Sequence, residues 1–280
     1  MRPTPPPVAI VHDGHITRLK WHRARRRADD PVFTATRIVE GMRVGASIEI
    51  DLVIHADRGF AVLHDREIDH ATTGTGHISG HGAAHLRTLY LRDNAGHPID
   101  APVLLLEDLA DLLRDVPIHP DALLQLDFKE FAHSLDAAAI NTFATAVTPF
   151  ARNAILSCGD AEAVRLLTEP VPAVRIGYDP CHGGAVDRVL ASGEFGRFAN
   201  DAVRASPHAE MVYLERRLVL EADRGSHDIV DAFHRQNRTV DAYTIYSADV
   251  PSVREVRRLL DLRVDQITTD DPEGLVRALR

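Results

Sequence analysis

Eight short apolar runs, centred near residues 18, 49, 125, 155, 176, 214, 243 and 267, alternate with stretches of helical periodicity along a chain of 280 residues. Repeated strand–helix alternation implies a parallel sheet. Eight such units at this length favour closure into a (β/α)8 (TIM) barrel over an open sheet. The third observation is a break in the rhythm: residues 66–102 are rich in Gly, His and Thr and have no clear period. The predicted fold is therefore α/β, a single barrel domain over residues 1–280, with a small insertion after the second strand at about 66–102. Long excursions of that kind are often functional.

The elements follow in order. Residues 1–14 are Pro-rich and predict an extended lead-in. A first strand over 16–21 delivers His22-Arg23. Residues 33–44 carry Ile38 and Met42 at helical spacing, and Gly45 is suited to cap that helix. Residues 47–65, SIEIDLVIHADRGFAVLHD, read as a strand, a turn at Asp57-Arg58-Gly59 and a second strand ending in His64-Asp65. After the insertion come a helix at 103–115, a strand at 122–128, a long helix at 131–150 and a strand at 153–157. A helix at 160–168 has Asp160 as its N-cap. A strand at 174–178, one or two helices in 181–205, a strand at 211–217 and a helix at 224–236 follow. The chain ends with strands at 239–246 and 264–269 and helices at 252–260 and 272–279, the first of these led by Pro251.

Composition narrows the function. The hydrophobic content of 45% is ample for a core. A formal charge of -9 argues against general nucleic-acid binding. An anionic substrate would need a local positive site, for which Arg23, Arg25, Arg26, Arg27 and Lys129 are the candidates. Two cysteines, Cys158 and Cys181, are not a disulfide framework. No secretory leader and no membrane-spanning stretch stand out, so the expected location is cytoplasmic. Eight of the 16 histidines, His12, His15, His55, His70, His77, His81, His85 and His97, read as scattered loop residues.

Chemistry concentrates on four strand-end stretches. Glu49 and Asp51 share one face of a strand, at a spacing of roughly 7 Å. Two carboxylates so placed repel unless a positive charge stands between them, and a hard divalent cation is a natural one. Asp127-Phe128-Lys129 repeats the pattern of a carboxylate on a strand, with a cation two residues on. His22-Arg23 and His64-Asp65 complete a set that suggests phosphate, metal and acid–base histidines.

The run His22-Arg23, Glu49-x-Asp51, His64-Asp65 and ATTGTG at 71–76, with DQITTDDPEGL at 265–275, resembles the glycerophosphodiester phosphodiesterase family. The resemblance covers roughly residues 17–130 and 240–276. It implies a barrel with an insertion after the second strand, a divalent cation and hydrolysis of a phosphodiester. By position it implies Glu49, Asp51 and Asp127 as metal ligands, His22 and His64 as the acid–base pair, and Arg23 and Lys129 as phosphate contacts. All-oxygen ligands admit magnesium, calcium or manganese. Glu215 and Tyr243, on the sixth and seventh strands, are candidate pocket residues.

Four departures stand out. Ala24 replaces the glycine that usually follows His-Arg. Pro31-Val32-Phe33 stand where the family has Glu-Asn-Thr. Asp127 replaces a glutamate one methylene longer, and Tyr243 stands where a tryptophan is usual. They point to a diverged member acting on a glycerophosphodiester or on a sugar or polyol diester. A small-molecule phosphodiester is the expected partner; oligomeric state is left open. The alternatives are a non-catalytic phosphodiester-binding barrel and a phospholipase of the sphingomyelinase D kind. A metal-dependent amidohydrolase would need His-x-His where this chain has His22-Arg23-Ala24.

Overall fold

The computed structural model describes residues 8–280. All eight expected strands form: β1 (His15–Trp21), β2 (Ser47–Ile54), β3 (Leu123–Phe128), β4 (Ala154–Ser157), β5 (Arg175–Tyr178), β6 (Met211–Glu215), β7 (Thr239–Ile245) and β8 (Gln266–Thr269). They pair in the order β1-β8-β7-β6-β5-β4-β3-β2, and a further β1–β2 pairing closes the ring. This is a (β/α)8 barrel with helices between the strands. No helix among the described residues is long and apolar enough to cross a membrane.

The chain divides into two compact units, one holding the chain up to His22, residues 26–28 and Ile176–Arg280, the other residues 23–25 and 29–175. In the first unit, alternate strand residues serve two faces. Leu19, Leu214, Val240, Ala242 and Ile267 pack with helix residues such as Phe198, Phe233, Val256 and Leu259 in a buried apolar layer. The other face is polar: buried Lys20 lies 3.1 Å from Asp241 Oδ2. Asp241 also accepts from Gln266 Nε2 and Thr268 Oγ1, each at 2.6 Å. The Lys20 ammonium sits 4.4 Å from the Tyr213 ring centroid. A short strand, Ala9–His12, pairs antiparallel with β1. Part of the expected lead-in is thus structured; its first seven residues lie outside the described ones.

In the second unit, β2 is buried along its whole length. Its Ile48, Ile50 and Leu52 alternate with Glu49 and Asp51. The chain turns through residues 55–59, and Phe60–Val62 returns antiparallel, with Leu52 opposite Val62 and Ile54 opposite Phe60. β2 pairs with β3 and β3 with β4, placing Asp51 opposite Asp127 and Asp127 opposite Ser157. The helix Ala35–Val44 ends at Gly45, whose φ of 82° lies in the left-handed region. The insertion carries a helical turn at Ile78–Gly80, a short helix at Ala83–Leu86 and a two-stranded ribbon of Tyr90–Arg92 with Pro98–Pro102. It is tied to the β2 turn by Ala83 N–H donating to Asp57 Oδ2 (2.7 Å) and Ala56 N–H donating to the His81 carbonyl (2.9 Å).

Several element boundaries differ from expectation. The long helix expected at 131–150 is three pieces, because the Asp136 carboxylate caps Ala139 N–H and starts the α-helix Ala137–Val147 late. The sixth strand stops at Glu215, and a helix, Arg216–Arg224, follows at once. Its apolar residues run on from MVYLE with no Gly or Pro between, so the sequence shows no break there. The helix expected at 224–236 is only Ile229–His234, capped by Asp228. His55 is no loop-surface residue: it is buried, its Nδ1 accepting from Asp57 N–H and its Nε2 3.9 Å from Glu107.

Candidate active site

The expected metal ligands and phosphate contacts meet in the second unit. Ligand atoms of Glu49, Asp51 and Asp127 lie within 4.8 Å of one another. Alternation puts Glu49 and Asp51 on one face of β2, and the register of β2 on β3 brings Asp127 alongside. Glu49 and Asp51 are buried, and Asp127 is partly so.

Two cations enter this group. Lys129 Nζ lies 2.8 Å from Asp51 Oδ1 and also contacts Asp127 Oδ2. Arg23 Nε lies 3.2 Å from Asp51 Oδ2, and Arg23 N–H donates to Glu49 Oε2 at 2.7 Å. That backbone bond depends on an unusual turn. After β1 the chain enters a turn in which Arg23 (φ 51°) and Ala24 (φ 60°) are both left-handed. The glycine absent at position 24 is thus a matter of backbone shape: a Cβ in this region costs about 1–2 kcal/mol.

Charge balance sets the titration. Burial, and then the neighbouring Glu49 charge, push the Asp51 carboxyl from 3.8 up to about 7, against the pull of Lys129 and Arg23. Burial acts to lower Lys129, but Asp127, Asp51 and Glu49 outweigh it and hold the ammonium well above its ordinary value. Both Asp51 oxygens are buried without an aligned hydrogen bond, despite their ionic neighbours. Three hard oxygen donors, one of them a fully buried carboxylate short of hydrogen bonds, fit a divalent cation of the magnesium, calcium or manganese kind.

The histidines are each paired with a carboxylate. In the first unit His22 Nδ1 lies 2.6 Å from Asp270 Oδ1, and both side chains are largely buried. In the second, His64 Nδ1 lies 2.7 Å from Asp65 Oδ1, with His64 37% exposed. In each case it is Nδ1 that faces the carboxylate.

The two pocket candidates are in the first unit. Tyr243 donates its hydroxyl to Asp179 Oδ2 at 2.9 Å, and His182 Nε2 lies 3.1 Å from the same oxygen. Glu215 accepts from Arg217 Nε at 3.1 Å, while its N–H donates to Cys181 Sγ at 3.4 Å. Burial, with Asp179 beside it, pushes the Cys181 thiol well up. Sequence reasoning missed Asp270, although it stands in the quoted run DQITTDDPEGL. It also missed Asp179, Gln125 and Ser157. Only the β3–β4 register reveals Ser157.

The family model for the glycerophosphoryl diester phosphodiesterase family matches residues 34–274. A glycerophosphoryl diester phosphodiesterase of Parabacteroides distasonis is 18% identical, with a TM-score of 0.66 and coverage of 97% of this chain and 89% of that one. A structure from Silicibacter pomeroyi is 20% identical, with a TM-score of 0.66 and coverage of 96% and 94%. A phosphodiesterase of Oleispira antarctica, in complex with the product sn-glycerol-3-phosphate, is 14% identical, with a TM-score of 0.65 and coverage of 93% and 96%. Among curated proteins, none matches the chain. At these identities the structural likeness speaks for the barrel. The family match spans most of the chain and includes Glu49, Asp51, His64, Asp127 and Lys129. On that match the chain belongs to the glycerophosphoryl diester phosphodiesterase family.

Proposed function

We propose that this phosphodiesterase hydrolyses a glycerophosphodiester, or a related polyol or sugar phosphodiester, to an alcohol and a phosphomonoester. The observation that carries the reading is the convergence of Glu49, Asp51 and Asp127 beside Arg23 and Lys129. Phosphoryl transfer chiefly needs its reacting groups positioned and its oxygen charge neutralised. The sn-glycerol-3-phosphate held by the Oleispira antarctica enzyme supports a glycerol-containing product.

In this reading Glu49, Asp51 and Asp127 hold one divalent cation. That cation, when bound, polarises a phosphate oxygen and lowers the pKa of a nearby hydroxyl. Arg23 offers two N–H groups to phosphate oxygens, and Lys129 adds a point charge. One of His22 and His64 takes a proton from the attacking hydroxyl through Nε2; the other gives one to the leaving alcohol. Each is expected to contribute about 10²–10⁴ in rate. Asp270 and Asp65 hold the two rings in orientation. We read the attacker as a neighbouring hydroxyl of the substrate, giving a cyclic phosphate that water then opens. Glu215 and Tyr243 are the candidate pocket residues. Residues 1–280 act as one catalytic domain, and a chain with only two cysteines suits a reducing, cytoplasmic compartment.

The test is release of alcohol from glycerophosphocholine, glycerophosphoethanolamine and a sugar phosphodiester, with magnesium, calcium or chelator. It is run on the wild type, His22→Ala and His64→Ala. Cation-dependent turnover lost in both variants is expected. Turnover that survives chelation, or either substitution, would overturn the assigned roles. Turnover of diesters lacking a vicinal hydroxyl, with no cyclic product trapped, would remove the cyclic step.

A further inference from the structure

Of the three carboxylates, Asp127 is the least buried, and its orientation is fixed from outside the ligand set. Its Oδ1 accepts from Ser157 Oγ at 2.5 Å. Ser157 is fully buried at the end of β4, in register with Asp127. The same Oγ accepts from Gln125 Nε2 at 2.8 Å. Gln125 is also buried, two residues before Asp127 on the same face of β3. A serine hydroxyl has one proton. Because Oγ receives the Gln125 amide, that proton goes to Asp127, and the chain Gln125 to Ser157 to Asp127 runs in one direction only.

The consequence falls on the other oxygen. With Oδ1 held by the hydroxyl, Asp127 turns Oδ2 towards Lys129 Nζ, the atom that also touches Asp51 Oδ1. Glu49 is constrained alike, since its Oε2 accepts Arg23 N–H. Beyond the Lys129 and Arg23 ion pairs, Asp127 Oδ1 and Glu49 Oε2 thus each accept a hydrogen bond from a neutral donor outside the ligand set. Calcium accepts six to eight oxygens and often takes both from one carboxylate. Magnesium demands near-ideal octahedral geometry, keeps several waters and tolerates little variation in how its oxygens are presented.

We infer that Ser157, backed by Gln125, is a positioning residue that restricts Asp127 to one ligating oxygen and so selects magnesium or manganese over calcium. The inference rests on the cation-site reading above. It concerns the choice among cations, which the donor set alone leaves open.

The experiment is calorimetric titration of the full-length protein with Mg²⁺, Mn²⁺ and Ca²⁺ separately, without substrate. The proteins are the wild type, Ser157→Ala, Ser157→Thr and Asp127→Asn, with thermal melts to establish that each is folded. Expected results are wild-type binding of Mg²⁺ and Mn²⁺ at least about tenfold tighter than Ca²⁺ and, as is typical when a group behind a ligand is removed, loss of about 10-fold or more in Mg²⁺ affinity in Ser157→Ala. Ca²⁺ affinity should fall less, so the ratio moves towards calcium, and Ser157→Thr, which keeps the hydroxyl, should restore it. Unchanged ratios in folded Ser157→Ala, or a wild type that prefers Ca²⁺, would overturn the inference while leaving the cation site in place. A wild type that binds no cation, or Asp127→Asn binding as well as wild type, would instead overturn the site reading beneath it.

Discussion

Replacing Asp51 by asparagine should stabilise the cation-free protein at neutral pH while leaving it little changed in acid. The carboxyl is fully buried, and its pKa rises from 3.8 to about 7 on folding. Between those values the folded state holds a proton that the unfolded state has lost. Stability from this group is therefore full below about pH 4 and declines as pH rises towards 7. At about 1.4 kcal/mol per pH unit, the loss across the window is about 4 kcal/mol. The asparagine amide does not titrate in this range, so the variant escapes the decline. Urea denaturation at half-unit steps from pH 4 to 8, in chelator, should show the difference between Asp51→Asn and wild type moving by about 4 kcal/mol in the variant's favour. A saturating divalent cation should then narrow the gap at pH 7.5, because it binds the ionised carboxylate of the folded wild type. Parallel stability curves for the two proteins would refute the reasoning, and so would a gap that moves the other way.

Three further outcomes are expected. Lys129→Met removes the ammonium that contacts Asp51 and Asp127; melts in chelator should show a loss of about 3 kcal/mol, largely recovered on adding divalent cation. Asp241→Ala takes the paired carboxylate from buried Lys20 and should cost about 3–5 kcal/mol by urea denaturation, while a Lys20→Met, Asp241→Leu double variant should regain most of it. Ala24→Gly relieves a left-handed alanine at φ 60°; after the extra entropy of the unfolded glycine it should raise stability by about 0.5–1 kcal/mol, read as a higher urea midpoint.

The barrel was legible because its cues are local. Apolar runs of strand length recur eight times, and helical periodicity fills the intervals, so every strand could be placed to within a few residues. The site was legible in part for the same reason. Glu49 and Asp51 declare a shared face by their spacing alone, and Asp127-Phe128-Lys129 does so two elements later. What stayed hidden is what register decides. Ser157 is one serine in an apolar run until β4 is aligned on β3. Asp270 is one of two adjacent aspartates: it turns to His22, whereas Asp271 caps Gly274 N–H at the start of the helix Pro272–Leu279. The helix Arg216–Arg224 was lost because its apolar residues continue the preceding strand without a break. Departures from the family pattern were visible as letters, yet only backbone angles give Ala24 its meaning.

The two groups of contacts fall in different stretches of the chain, and that separation bears on how such an enzyme diversifies. Every bond described around Glu49, Asp51 and Asp127 is made by residues 23, 125, 129 and 157, all within the second unit. The Tyr243–Asp179–His182 and Glu215–Arg217 contacts belong to the first. Mutational drift beyond residue 176 can therefore rewrite the second group of contacts without breaking a bond in the first. A lineage built this way can keep the carboxylate and cation group intact while the later contacts vary, and recombination near the middle of the gene would exchange one set while conserving the other.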